Sequence, residues 1–159
     1  MKFLFLEASG PAPPDVCWMR YALPMNWPSW APQIRAVTID PESAPRTADP
    51  HPAARAGRAR GGWAPAGGGG EPVRIRPGLR GRVHSYPPLS PRFTVTAVDE
   101  TDRTWSWQVS IGRLQVTLDH GVDACLDGGT CAWLRISGPR PVLYAYAPLA
   151  RAALRRLVS

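Results

Sequence analysis

The sequence predicts an α+β fold in which one long C-terminal helix covers a curved antiparallel sheet. Short strand-like runs separated by turn signals fill the chain from residue 71 to residue 137, and an amphipathic helical pattern follows over 141–158. That helix is the only predicted element long enough to cover the apolar face of such a sheet. The predicted order is a strand, two short helices, a strand, an insertion, about five antiparallel strands and the long helix.

The first forty residues predict two strands that flank two short helices. Residues 2–8 and 34–39 have the composition of strands. Proline residues before Asp15 open the first helix, because proline suits a first turn and Asp15 suits the positive end of the helix dipole. Pro24 ends this helix, and Asn26 is the expected cap of a one-turn helix that runs to Trp30.

Residues 40–70 differ in composition from the rest of the chain. They are rich in proline, alanine and glycine, and Trp63 is their only large apolar residue. Such a stretch buries too little surface to offset the entropy lost on ordering. We therefore predict a single domain over 1–159 with a disordered insertion at 40–70. Trp63 would lie in a solvated loop or fold back over the mouth of a cavity.

The second half predicts a series of strands and then the helix. Asp127-Gly128-Gly129 is the strongest hairpin signal of the chain, and Pro148 predicts a kink in the helix. The predicted strands are 73–76, 81–86, 92–98, 104–111, 114–122 and 131–137. The predicted apolar stripe of the helix is Val142, Tyr146, Leu149, Ala153 and Leu157, with Leu143, Ala150 and Leu154 beside it.

Composition and charge argue against several classes of function. The formal net charge is +7, and arginine supplies every basic residue except Lys2. These arginines are spread along the chain, whereas a nucleic-acid-binding protein gathers them on one face, so we expect no nucleic-acid partner. No run of 18 apolar residues is present, so we expect no integral membrane association and a cytoplasmic protein.

The three cysteines have no metal-ligand spacing, and we expect no metal and no cofactor. Cys125 and Cys131 flank the predicted hairpin turn and could lie close together. An odd number of cysteines without an export signal favours reduced thiols. Cys17 and Cys125 have no neighbouring base in the sequence, which argues against a thiolate nucleophile.

Alternation along two neighbouring strands predicts an interior lined by aromatic and apolar side chains. Residues two apart in a strand share a face. One face then carries Trp105, Trp107, Val109 and Ile111, and the facing strand carries Leu114, Val116, Leu118, His120 and Val122. Asp119 points to the opposite face, so a His-Asp pair is not expected there.

The order of these elements resembles the SRPBCC (START-type, helix-grip) superfamily, and within it the polyketide cyclase/dehydrase-like proteins. The matching segments are 13–18, 26–30, 93–98, 105–107, 119–120, 127–130 and 147–154. The resemblance implies a sheet of six or seven strands that grips the long helix, with a cavity between them. It also implies a hydrophobic small molecule as the partner, bound there and in some members cyclised or dehydrated without a cofactor.

The superfamily shares a fold more than a catalytic set, so no catalytic residue follows from the resemblance. If the protein is an enzyme, the places of His120 and Tyr146 on the apolar faces of a β-strand and of the helix make His120 the candidate proton acceptor or donor and Tyr146 the candidate that orients a carbonyl group. Each also has a structural interpretation: a histidine that bridges the sheet, or a core tyrosine with a bonded hydroxyl. The alternative functions are a non-catalytic carrier or sensor of lipids or metabolites, and a domain that acts through a protein partner. The predicted ligand-binding residues are Trp105, Trp107, Val109, Val116, Leu118, Leu134, Val142 and Leu149.

Two further aromatic or polar sets have an undetermined orientation in the sequence. Arg82, His84 and Tyr86 share one strand face and form a clamp for an anion or carbonyl if they point inward. A solvated outer face is the alternative. Trp133 points away from Ala132 and Leu134, and the sequence does not show what covers it.

Overall fold

A computed structural model describes residues 2–44, 70–86 and 88–159. Most of the predicted insertion, residues 45–69 with Trp63, lies outside the described residues. The elements are β1 (Lys2–Gly10), α1 (Pro14–Ala22), a 3-10 helix (Pro24–Asn26), α2 (Trp27–Trp30), β2 (Ile34–Ile39), a second 3-10 helix (Pro41–Ser43), β3 (Arg80–Ser85), β4 (Arg92–Asp99), β5 (Thr104–Ile111), β6 (Leu114–Ala124), β7 (Thr130–Gly138) and α3 (Arg140–Leu157).

The seven strands form one antiparallel sheet in the order β1-β7-β6-β5-β4-β3-β2. The hairpins predicted from turn signals connect β4 to β5, β5 to β6 and β6 to β7. The pairing of β1 with β7 brings the first strand beside the last, and α3 packs on both of them and on α2. The predicted fold class, with two short helices after the first strand, is therefore confirmed.

The predicted strand at 73–76 is not present. Ile75 is buried, and its backbone N–H donates to the carbonyl of Ala22 at the end of α1. Pro72 and Pro77 flank the segment and have no N–H to give to a neighbouring strand. The apolar residues that suggested a strand instead anchor an extended segment against α1.

The second short helix is held by tryptophan side chains and not by the predicted cap. Asn26 makes no side-chain capping bond. The indole N–H of Trp27 donates to the carbonyl of Tyr21 at 2.9 Å, and that of Trp30 donates to the carbonyl of Arg20 at 3.1 Å. Both bonds occupy carbonyls at the end of α1, so they fix α2 to the preceding helix.

The buried face of α3 is rotated relative to the predicted stripe. Its buried residues are Leu143, Ala147, Ala150, Ala153, Leu154 and Leu157. Leu149 is 40% exposed, and Val142 and Tyr146 are only partly buried. Three buried alanines bring the helix axis close to the sheet, and Pro148 lies on the exposed side. Among the described residues, no helix has the length and apolarity needed to cross a membrane.

Cys125 and Cys131 form a disulfide bond, so the expectation of reduced thiols is wrong for this pair. Gly128 and Gly129 have φ values of +86° and +80°, which favour glycine and close the turn between β6 and β7. This turn brings the two cysteine Cα atoms to 5.5 Å, within the range that a disulfide requires. Cys17 is free and buried.

Candidate functional site

A small cavity of about 30 Å³ lies between the sheet, the α1–α2 segment and α3. The structure brings five of the predicted site residues to its wall, namely Trp105, Trp107, His120, Leu134 and Tyr146. The rest of the wall comes from Tyr21, Trp27, Trp30, Ala31, Gln33, Ile34, Ala150, Ala153 and Leu154. The predicted cavity thus exists, but it is nearly filled by its own side chains.

The sheet side of the cavity is built by the β5–β6 hairpin. Trp105 pairs with His120 in the antiparallel register, which places both side chains on the inner face. The indole and imidazole rings stack with their centroids 4.4 Å apart and an interplanar angle of 12°. The ring of Trp107 lies 5.2 Å from that of Trp105. These aromatic contacts hold the imidazole in one orientation.

The side of the cavity formed by α1 and α2 consists of residues that the sequence did not identify as a site. Trp27 lies with its ring centroid 5.5 Å from Trp105 and 5.0 Å from Trp107. The ring of Tyr21 lies 5.2 Å from that of His120 and 5.3 Å from that of Trp30. Trp27 and Trp30 are three residues apart and Tyr21 follows the buried Cys17 by four, so helical spacing alone would have placed them inward.

Five buried polar atoms around this cavity have no hydrogen-bond partner among the described residues. They are Tyr21 Oη, Gln33 Oε1, Trp105 Nε1, Trp107 Nε1 and His120 Nδ1. All five residues line the cavity. Most buried polar groups in proteins are bonded, so five such atoms at one place set this cavity apart from the rest of the described interior.

Burial sets the electrostatics of the site. It lowers the pKa of His120 to about 3, and the nearby backbone of Trp105 acts more weakly in the opposite direction. The imidazole is therefore neutral near pH 7. Burial also raises the pKa of Tyr21 and of Tyr146. For Tyr146, a hydrogen bond donated by the Gln33 amide at 3.0 Å acts in the opposite direction.

The remaining predicted ligand-binding residues do not line this cavity. Leu118 is buried in the core, while Val109 and Val116 are a partly buried pair near the turn of the β5–β6 hairpin. Val142 and Leu149 lie beside the buried face of α3 and not on it. The helix turns by 3.6 residues, so an offset of one position moves a side chain by about 100° around its axis.

The outer face of the sheet carries Asp119 and the polar residues of the predicted clamp. Asp119 accepts a hydrogen bond from the Ser106 hydroxyl at 2.7 Å, away from the imidazole of His120, as the alternation predicted. His84 bonds to Thr38 at 2.9 Å on the second strand. Its neighbour Val83 is buried, so Arg82 and His84 face outward and form no inner clamp.

Trp133 also lies on the outer face. Its ring stacks on that of Phe5 with centroids 6.1 Å apart, and its indole N–H donates to Asp123. A Cβ atom at Gly121 would lie 2.1 Å from this ring, so only glycine leaves room for the indole over β6. Phe3 and Phe5 are 63% and 52% exposed beside it. Trp133 therefore belongs to a surface patch and not to the cavity.

No protein-family model matches the sequence, and the comparison with curated proteins gives no match. Solved structures match over nearly the whole chain at low identity. Ara h 8.0201 has 13% identity and a TM-score of 0.62, with 98% of this chain and 94% of the other covered. A protein from Nitrosospira multiformis has 14% identity and a TM-score of 0.65, with 99% and 94% covered.

A third similar structure is the di-domain ARO/CYC protein BexL from the BE-7585A biosynthetic pathway. It has 14% identity and a TM-score of 0.66, with 99% of this chain and 45% of BexL covered. These structures, at 13–14% identity, share with this chain the fold that the sequence resemblance implied. The seven-stranded sheet, the short helices after β1 and the long C-terminal helix together define a protein with the helix-grip fold.

Proposed function

We propose that this protein binds a hydrophobic, ring-bearing small molecule in the cavity between its sheet and its helices. The observation that carries the proposal is the group of five unpartnered polar atoms around one aromatic cavity. A buried polar group without a partner costs about 1–3 kcal/mol, so a molecule that bonds to these atoms gains affinity from them. The stacked rings of Trp105 and His120 offer an apolar wall to a planar ligand.

Ligand entry requires the cavity to widen. A volume of about 30 Å³ has room for one or two water molecules, whereas sites for drug-sized ligands measure roughly 300–1,000 Å³. The shortest element of the wall is α2, a four-residue helix that carries Trp27 and Trp30 and is tied to α1 by their two indole N–H bonds. The long helix α3 packs on both β1 and β7. We expect binding to move α2 away from Trp105.

Electrostatics favour a carrier or sensor over an enzyme. A histidine whose pKa is lowered to about 3 is a poor proton acceptor near pH 7. Cofactor-free cyclisation or dehydration of a polyketide-like substrate is the second candidate, because Tyr21, Tyr146 and His120 all line one cavity. If His120→Ala abolishes turnover of a poly-carbonyl substrate and keeps ligand affinity, that result supports catalysis. Unchanged turnover removes His120 from the mechanism.

The exposed aromatic patch supports a third candidate, action through a protein partner. Phe3 and Phe5 expose more than half of their surface next to Trp133. Phe5→Ser separates the two kinds of function, because it leaves the interior cavity unchanged. Loss of an interaction in this variant, with ligand affinity retained, would assign the patch to a partner.

Calorimetric titration with 2-naphthol tests the proposed cavity. We expect Ala153→Leu to weaken binding about tenfold or more, because the larger side chain fills the cavity wall on α3. Ala145→Leu is the matched control, since Ala145 is exposed on the same helix. Equal affinity in both variants places the site elsewhere, and absence of any binding to the wild type overturns the proposal.

The cellular location of the protein is also part of this proposal. We predict a cytoplasmic location from the sequence, and the disulfide between Cys125 and Cys131 is the feature that argues against it, because disulfides persist mainly in oxidising compartments. Native mass spectrometry of the purified protein answers two questions at once. It reports any co-purified ligand, and a mass increase of about 2 Da on reduction, in protein whose free thiols were alkylated at cell lysis, reports whether the disulfide forms in the cell.

A further inference from the structure

We infer that the ligand of this cavity is uncharged and presents an oxygen acceptor, a ketone or phenol oxygen, to the indole N–H groups of Trp105 and Trp107. The inference rests on the proposed function and adds the chemical class of the ligand. It is carried by a contrast among the tryptophans, by the donors and acceptors on the cavity wall, and by the charge of that wall.

The tryptophans divide into two groups by the partners of their indole N–H. In four of the six that the structure describes, the N–H donates to a protein oxygen, as in Trp18, Trp27, Trp30 and Trp133. The other two, Trp105 and Trp107, are buried and have no acceptor. Both belong to β5 and both line the cavity. Trp27 and Trp30 also line the cavity, but their N–H groups bond to carbonyls of α1. Among the described tryptophans, the unbonded N–H donors are therefore confined to the β5 side of the cavity.

The unbonded donors define what the ligand must provide. An indole N–H only donates, so its partner in the ligand must be an acceptor. The Tyr21 hydroxyl is a third buried group without a partner and donates to the same kind of atom. Gln33 is oriented by the bond from its amide N–H to the Tyr146 hydroxyl, and its own oxygen remains an acceptor for a ligand hydroxyl.

The charge of the wall excludes ionic ligands. Among the described residues that line the cavity there is no Asp, Glu, Lys or Arg. Burying a carboxylate without a cation beside it costs several kcal/mol, and His120 is neutral near pH 7. The aromatic faces of the site would attract an ammonium group. An ammonium has no lone pair to accept from Trp105 and Trp107, so both donors would stay unbonded.

Four probes of similar size separate these possibilities. Acetophenone has a ring and an acceptor oxygen, cumene replaces that oxygen with carbon, benzoate adds a negative charge and phenyltrimethylammonium a positive one. We expect acetophenone to bind at least as tightly as cumene, although cumene is the more hydrophobic. In ¹⁵N–¹H spectra, acetophenone should shift the indole signals of Trp105 and Trp107, and the two ions should shift neither.

Tyr21→Phe removes one donor while keeping the ring, and Tyr144→Phe on the exposed side of α3 is its matched control. We expect Tyr21→Phe to bind acetophenone about threefold to tenfold more weakly and to bind cumene with unchanged affinity. Tyr144→Phe should change neither affinity. Tyr21→Phe with wild-type affinity for acetophenone would contradict the donor set.

The outcomes distinguish this inference from the proposed function. Cumene binding ten times more tightly than acetophenone, or equal binding of benzoate, overturns the inference and leaves the proposed cavity standing. Stronger binding of phenyltrimethylammonium would identify an aromatic cage for cations instead. If no probe moves an indole signal, water alone completes the polar atoms, and the proposed function fails together with the inference.

Discussion

At the residue scale, burial decides what His120 can do. The sequence placed it on the same face as the apolar side chains of β6, and the structure shows it stacked on Trp105 and 6% exposed. Its orientation was predictable because residues two apart in a strand share a face. Its lowered pKa was not, since desolvation depends on Tyr21 and Trp107, which arrive from α1 and β5.

We predict that His120 makes the protein less stable in mild acid. The folded-state pKa of about 3 lies below the ordinary value of 6.5. Unfolded protein therefore binds the proton first, and stability falls as the pH decreases from about 6.5 toward 3, by up to about 1.4 kcal/mol per pH unit. Urea unfolding of wild type and His120→Gln at pH 7 and pH 5 measures this effect. If both proteins lose the same free energy of unfolding between pH 7 and pH 5, the loss comes from carboxylates and not from His120.

At the element scale, the β6–β7 hairpin and α3 each have one feature that the sequence pattern predicted and one that it did not. The Asp127-Gly128-Gly129 turn was predictable from glycine alone, and the disulfide was not, because pairing also requires Cys125 and Cys131 to face each other across the turn. In α3 the helical spacing of the apolar residues was predictable, but the side of the helix that faces the sheet was not. Small Ala147 can pack against the sheet, whereas the larger Leu149 points to solvent.

We predict that the Cys125–Cys131 disulfide stabilises the folded chain by about 2 kcal/mol, because it closes a short loop in the unfolded state. The Cys125→Ser, Cys131→Ser double variant should unfold at correspondingly lower urea concentration. Reductant should destabilise the wild type to the same level and leave the double variant unchanged. A wild-type protein whose urea unfolding does not change when reductant is added would contradict the prediction.

At the scale of the whole molecule, the C-terminus closes the fold against the first helix. The Arg20 guanidinium donates to the carbonyls of Arg156 and Leu157 in the last turn of α3 and to the carbonyl of Ser159 after it. The Cys17 thiol also donates to the Leu157 carbonyl, at 3.3 Å. A Cβ atom at Gly10 would lie 2.2 Å from the Val158 carbonyl, so β1 and the end of α3 are in direct contact.

We predict that Arg20→Ala lowers the free energy of unfolding by about 1–3 kcal/mol, because it removes charge-assisted bonds to unpaired helix carbonyls. Arg151→Ala is the control, since Arg151 is exposed on α3 and has no such bond among the described residues. Thermal unfolding of the two variants checks the difference. Equal unfolding temperatures of the two variants would show that water bonds to the carbonyls as well as the guanidinium does, with no loss of stability.

The seven observed strands, the hairpin turns and the long helix were predictable from the sequence, and with them the helix-grip fold, because each depends on a local period or on a turn residue. The false strand at 73–76 and the composition of the cavity wall depend on contacts between distant segments. Tyr21, Trp27 and Gln33 reach the cavity only when the α1–α2 segment folds over β5, and Ala150 and Ala153 of α3 close the other side of the small remaining space. Cavity size and unpartnered polar atoms depend on distances between segments far apart in the chain, and no local pattern encodes those distances.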